Sequence, residues 1–158
     1  MKVTRDLIRE YYGITTGATT AYHYMNTGFI KLAEENSPQV DKTAFVGDTN
    51  SSATIVGYEN KWTFEAQNIS GNTVVDDLVE IAREQKTGTD CERTLISVDM
   101  AAAAVSGAYP ARKCSIVVEA TPPTGDPKAI TKVTGTLHQN GDIILGTFNP
   151  TTSTWTAA

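Results

Sequence analysis

The fold class turns on Lys61-Trp62-Thr63-Phe64-Glu65-Ala66-Gln67. Its apolar members fall at every second position, so an extended chain puts Trp62, Phe64 and Ala66 on one face and Thr63, Glu65 and Gln67 on the other. A helix would scatter the same side chains around its circumference. The stretch therefore reads as a half-buried β-strand, one face against a core and one in water.

The pattern repeats on both sides of it. Thr54–Tyr58 and Arg93–Asp99 read as strands, and Arg112–Thr121 sets Cys114, Ile116 and Val118 against Lys113, Ser115 and Glu119. In Ala129–Gln139, Val133, Gly135 and Leu137 alternate with Lys132, Thr134, Thr136 and His138. Asn140-Gly141 predicts a type I′ turn joining that strand to one over 142–149. Segments 20–25 and 29–34, separated by Asn26-Thr27-Gly28, suggest another hairpin. Composition agrees: there are 24 threonines against six leucines, and Thr, Val and Ile supply 47 of the 158 residues. Such β-branched side chains suit a pleated sheet and starve a helical bundle. One mainly β domain over 20–158 is the expectation.

The helix is placed at 72–87. Val74, Leu78, Ile81 and Ala82 recur at helical spacing, Asn72 can cap the first turn, and Arg83 and Lys86 sit near the negative end, with Gly88 as the stop.

Two segments lack periodicity yet carry large apolar side chains. Residues 1–19 read as an N-terminal arm containing Leu7, Ile8, Tyr11 and Tyr12, and residues 35–53 as a long loop containing Val40, Phe45 and Val46. Such side chains are buried only if something covers them, and a second copy of the chain is the simplest cover.

A search for chemistry yields no enzyme. Neither His23 nor His138 accompanies a nucleophile elbow, and no phosphate-cradling glycine motif is present. Asp76 and Asp77 diverge on a helix and are explained by its positive end. The Asp48/Asn50/Ser52 run lacks the remainder of a calcium loop. Cys91 and Cys114 have no metal-ligand spacing and read as reduced, semi-buried thiols. No cofactor or metal is expected. The formal charge of −5 is spread without a basic patch, and no apolar run approaches the ~20 residues of a membrane span. A soluble cytoplasmic building block is the reading from residues alone, with a monomeric β-sandwich binding module of adhesin or carbohydrate-binding type as the rival.

Five stretches, taken in order, resemble a known family: Ile55–Glu65 with its Gly57-Tyr58-Glu59, the helix end Gln85-Lys86-Thr87-Gly88, Ala111-Arg112-Lys113, Gly135–Asp142, and Gly146-Thr147-Phe148-Asn149. Their order and spacing are similar to the major tail, or tail tube, proteins of long-tailed bacteriophages. The resemblance implies β-sandwich-like or barrel-like subunits with one flanking helix that form hexameric rings, pool inner strands into a barrel, and stack into a tube that conducts DNA in the virion after assembly in a host cytoplasm. It implies tape measure and tail-tip or terminator proteins as further partners. It assigns the 1–19 arm and 35–53 loop to contacts between rings. It also makes Thr63, Glu65, Gln67, Lys113, Ser115, Glu119, Lys132, Thr134 and Thr136 candidates for the channel wall, which should be smooth and not basic if DNA is to slide.

Overall fold

The computed structural model describes residues 1–158. It is mainly β with one short helix, as expected. Ten strands are present: β1 Ile8–Thr16, β2 Thr19–Tyr24, β3 Phe29–Glu35, β4 Pro38–Thr43, β5 Ser52–Tyr58, β6 Lys61–Gln67, β7 Glu92–Asp99, β8 Tyr109–Ala120, β9 Lys132–Asn149 and β10 Thr154–Ala157. Helix α1 spans Thr73–Arg83. Eight strands form one open antiparallel sheet in the order β2-β1-β7-β8-β9-β6-β3, with β10 added to β9, and β4 and β5 make a separate two-stranded ribbon.

The sheet curls. Tyr12 of β1 and Trp62 and Phe64 of β6, which lie toward opposite ends of the strand order, share one core with Leu95, Ile116, Val118, Val133 and Leu137. Leu32 of β3, the far edge, packs against it. Helix α1 packs on β8 and β9 and seals this concave face with Val74, Leu78 and Ile81, its first turn capped by the Asn72 side chain accepting from Val75 N–H. A smaller core of Tyr11, Ile96, Val98, Ala111 and Phe148 lies on the opposite face, with Trp155 of β10 and the Tyr22 and Tyr24 rings around it.

Several expectations need correction. Residues 1–19 are not an arm: Ile8–Thr16 is an interior strand between β2 and β7, and Tyr11 and Tyr12 are 5% and 0% exposed. Strand β1 is buried on both faces, Tyr11 in one core and Tyr12 in the other, so it shows no alternation. Consequently β2 pairs back onto β1 through Gly17-Ala18, with Gly17 at φ 63°, and 20–25 makes no hairpin with 29–34. Strand β3 pairs with β6 instead. Residues 38–43, expected within the long loop, form a strand instead, paired as a ribbon with β5, which contains the strand expected at 54–58, and every residue of β4 is exposed.

Asn140-Gly141 is not a hairpin turn either. Type I′ needs positive φ at both central residues, and only Gly141 has it, at 92°. Strand β9 runs on through this point, and its register against β8 shifts between Lys113↔Ile144 and Ser115↔Asn140. The irregularity is a bulge that re-aims the strand.

Gly135 lies where β9 meets the β8 backbone. A Cβ there would stand 2.0 Å from the Glu119 carbonyl oxygen, and backbone cannot give way as a side chain can. Gly135→Ala is expected to destabilise the fold by about 1–3 kcal/mol or more, read as a lowered urea midpoint. An unchanged midpoint would show that β8 and β9 do not approach this closely in solution.

Candidate functional site

Strands β8, β9 and β6 lie side by side, and their pairing puts all nine candidate wall residues on one face. Thr63, Glu65 and Gln67 stand opposite Thr136, Thr134 and Lys132, while Thr136 also stands opposite Glu119. Ser115 and Lys113 continue the same side of β8. This is the convex face, away from helix α1, and all nine side chains are half-buried or exposed.

The face is charged but balanced. On β3, β6, β7, β8 and β9 it presents Lys31, Lys61, Lys113 and Lys132 against Glu35, Glu65, Glu92 and Glu119. Most of these charges are engaged: Lys132 Nζ lies 3.0 Å from Glu65 Oε1, Lys61 Nζ 3.5 Å from Glu35 Oε2, and His138 Nε2 2.7 Å from Glu119 Oε2. Lys113 sits over the Trp155 ring at 5.8 Å. Threonine hydroxyls fill the spaces, Thr121 Oγ1 lying 3.0 Å from Thr134 Oγ1. The face is thus neither a basic groove nor an acidic wall.

The second surface is the β4–β5 ribbon. Val40, Phe45 and Val46 are 49%, 73% and 109% exposed, and Ile55, Val56 and Tyr58 are exposed beside them. Asp48 Oδ2 accepts from the Phe45 N–H and closes the tip. Of the other residues expected at contacts, Leu7 is half-buried and Ile8 is 40% exposed, whereas Tyr11 and Tyr12 are core.

Two polar clusters, one largely buried and one partly exposed, neither anticipated from the sequence, fix these surfaces. Asp77 does not merely answer the helix dipole. It takes a bidentate pair from Arg93 at 2.9 and 3.0 Å and a 2.6 Å bond from the Tyr12 hydroxyl, tying α1 to β7 and β1. Burial, then the neighbouring Asp77 carboxylate, pushes the Tyr12 hydroxyl well above its ordinary pKa, so it stays a donor. Only its neighbour Asp76 serves the helix start, accepting from Gly71 N–H at 3.1 Å. The other cluster crosses the concave face: Glu34 accepts from Arg112 at 3.1 and 2.8 Å and from Asn60 at 3.0 Å, and Glu10 accepts from Arg5 at 2.6 Å. No group of three or more His, Cys, Asp or Glu could hold a metal ion. Burial raises the Cys114 thiol to about 12, which leaves it an unreactive core thiol.

The two glutamates respond oppositely to pH. Burial pushes Glu10 above its ordinary value of 4.5, and Arg5 only partly counters it, so ionised Glu10 opposes folding above that range and the burden lifts as pH falls. Burial acts on Glu34 too, but the Arg112 and Asn60 hydrogen bonds outweigh it and hold the carboxyl below 4.5. Its stabilising contribution is therefore present above 4.5 and lost as pH drops through the lowered value. Glu34→Gln is expected to cost about 1 kcal/mol at neutral pH, since Arg112 is partly solvated, and to flatten the acid limb of thermal stability. Glu10→Gln is expected to be as stable as the parent or more so at neutral pH, the difference closing on acidification. Identical pH profiles for both variants would refute this assignment.

No protein-family model matches the sequence, nor does any curated protein. Among solved structures the chain is similar to the sheath/tube terminator, in the extended state, of PVC, an extracellular contractile injection system. The TM-score is 0.57 at 11% identity, covering 92% of this chain and 96% of that one. It is also similar to a chain of the anti-feeding prophage (AFP) baseplate, with TM-score 0.56 at 6% identity over 92% of this chain and 95% of that one. At such identities the likeness establishes a shared fold.

Proposed function

We propose that this chain is a structural subunit of a phage-tail-like tube, and not an enzyme. Copies assemble into hexameric rings that stack around a channel, and the convex face of β6, β8 and β9 lines that channel. The observation that carries the reading is the gathering of Thr63, Glu65, Gln67, Lys113, Ser115, Glu119, Lys132, Thr134 and Thr136 on one hydroxyl-rich, charge-balanced face. DNA slides along such a wall because few counterions are released on contact and little affinity is gained. The sheet is open at β2 and β3, and edges of this kind are completed by pairing with another chain. In a sheet of seven alternating strands the edges β2 and β3 run in the same direction, so parallel addition of one copy's β3 edge to the next copy's β2 edge continues the sheet around a ring. The shared fold with a tube terminator and a baseplate chain supports a place in a tail assembly. Tape measure and tail-tip or terminator proteins are the further partners in this reading, the virion is its location, and the host cytoplasm its site of assembly.

The near-complete mutual coverage with the terminator favours a second reading, a single capping ring. Electron microscopy of the purified protein over a concentration series separates them. Stacked tubes are expected; isolated rings would favour the cap, and a persistent monomer would return the chain to the binding-module class.

The wall assignment has its own test. Thr134→Cys is expected to react readily with a polymer-linked maleimide in the free subunit, while the buried native thiols stay silent. In assembled tubes the polymer reagent should be slowed steeply while a small maleimide still reacts. Equal reactivity toward the polymer before and after assembly would put this face on the outside.

A further inference from the structure

The curl of the sheet brings its two flanks within reach of a single side chain. Tyr12 of β1 and Leu32 of β3 pack in one core although β7, β8, β9 and β6 lie between them in the strand order. Along the seam each flank carries backbone that no strand pairs. Strand β3 has no partner on its outer side. Strand β2 covers β1 only from Tyr11 onward, and the Glu10 carbonyl just before it accepts from the Met25 N–H. Ile8, two residues earlier on an extended chain, points its carbonyl to that same outer side and into the seam.

Arg5, immediately before β1, bridges the gap. Its guanidinium donates to the Ile8 carbonyl, to the Leu32 carbonyl of β3 at 3.3 Å and to Glu10 Oε2 at 2.6 Å. The Arg5 side chain is 54% exposed, but that of Glu10 is only 5% exposed and so supplies a fixed anchor. A planar fork of five donors suits this work, because one group can serve a carboxylate and two backbone oxygens together. Arg5 thus stands where a ladder of backbone hydrogen bonds would otherwise close the seam.

We propose that Arg5 is a clasp that gates the β3 edge, so that a neighbouring copy's strand pairs at Leu32 only after Arg5 lets go. This rests on the edge-to-edge assembly proposed above and names what opposes it in the free subunit. A strand added to β3 lies about 4.8 Å away and takes the outward carbonyls as its acceptors. With a nitrogen 3.3 Å from the Leu32 oxygen, Arg5 fills both that acceptor and that space. Clasp and added strand exclude one another. Opening also parts Arg5 from the buried Glu10 carboxylate, a charge-assisted bond that the incoming strand must outweigh. Each junction joins one β3 edge to one β2 edge, so one clasp opens per subunit added.

Arg5→Ala alone would leave the Glu10 carboxylate buried without its partner. The test therefore removes both charges, Arg5→Ala with Glu10→Gln, and runs Glu10→Gln alone beside it. Assembly is followed by light scattering over a concentration series, the products are viewed by electron microscopy, and melting temperatures are taken on the same samples. The double variant is expected to form rings or tubes from a concentration about tenfold lower than the parent, since no charge-assisted bond is broken at each junction. Glu10→Gln, which keeps the guanidinium and weakens its anchor, should fall between them, and it carries the comparison if the double variant does not fold. A merely structural role would lower the melting temperature without lowering that concentration. If parent and variants assemble from the same concentration, or the variants need more, or they give only amorphous aggregate, the gate is refuted while tubes of the parent keep the assembly reading standing. If no protein assembles at any concentration, edge-to-edge assembly fails and the gate fails with it.

Discussion

Strand β9 is the constraint on which the rest of the molecule hangs. Over eighteen residues it is bonded to β8 along one edge, and along the other to β6 in its first half and to β10 in its second. A strand of that length in a twisting sheet cannot hold one face against one core throughout. Alternation resolves the conflict: Val133 and Leu137 face the helix side in its first half, and Phe148, of the opposite parity, enters the smaller core on the other side in its second, the bulge at Gly141 leaving that parity unchanged. One extended segment thus joins two cores, and the polar face of its first half becomes available because helix α1 occupies the opposite side.

What that first half presents follows from the pairing. Charges placed opposite or diagonal to one another across antiparallel strands can meet, and here lysines meet glutamates. Threonines separate them, as β-formers whose hydroxyls keep the surface wet without net charge. The opposite face carries no such mixture. Where charge enters on that side, at Glu10, Glu34 and Asp77, each carboxylate has an arginine within 3.0 Å, as burial demands of Glu10 and Asp77.

Much of this was legible in the sequence, and the lapses have physical causes. Strands with one dry and one wet face, such as Lys61–Gln67, announce themselves by alternation. Strand β1 does not, because Tyr11 and Tyr12 are both dry, and strand β4 does not, because all its residues are wet. Misplacing β1 then misassigned the partner of β2. The nine polar residues could be grouped by parity, since register preserves it within each strand, but which strands adjoin is a property of the whole sheet. The bonds of Asp77 to Arg93 and Tyr12 join positions sixteen and sixty-five residues apart, and no local spacing reports them.

The ribbon's place in the chain has a consequence for how such a molecule can change over generations. Glu35 of β3 and Lys61 of β6 are direct neighbours in the sheet, so everything between them is an insertion into an existing hairpin. Residues can be added or removed there in pairs without shifting the register of any sheet strand, at a loop-closure cost that grows only logarithmically. Each added pair would lengthen the projection by one step of the pleat, about 3.3 Å per residue along each strand. Reach is thereby uncoupled from fold, and the segment can vary to suit a different neighbour while the sheet that carries it stays as it is.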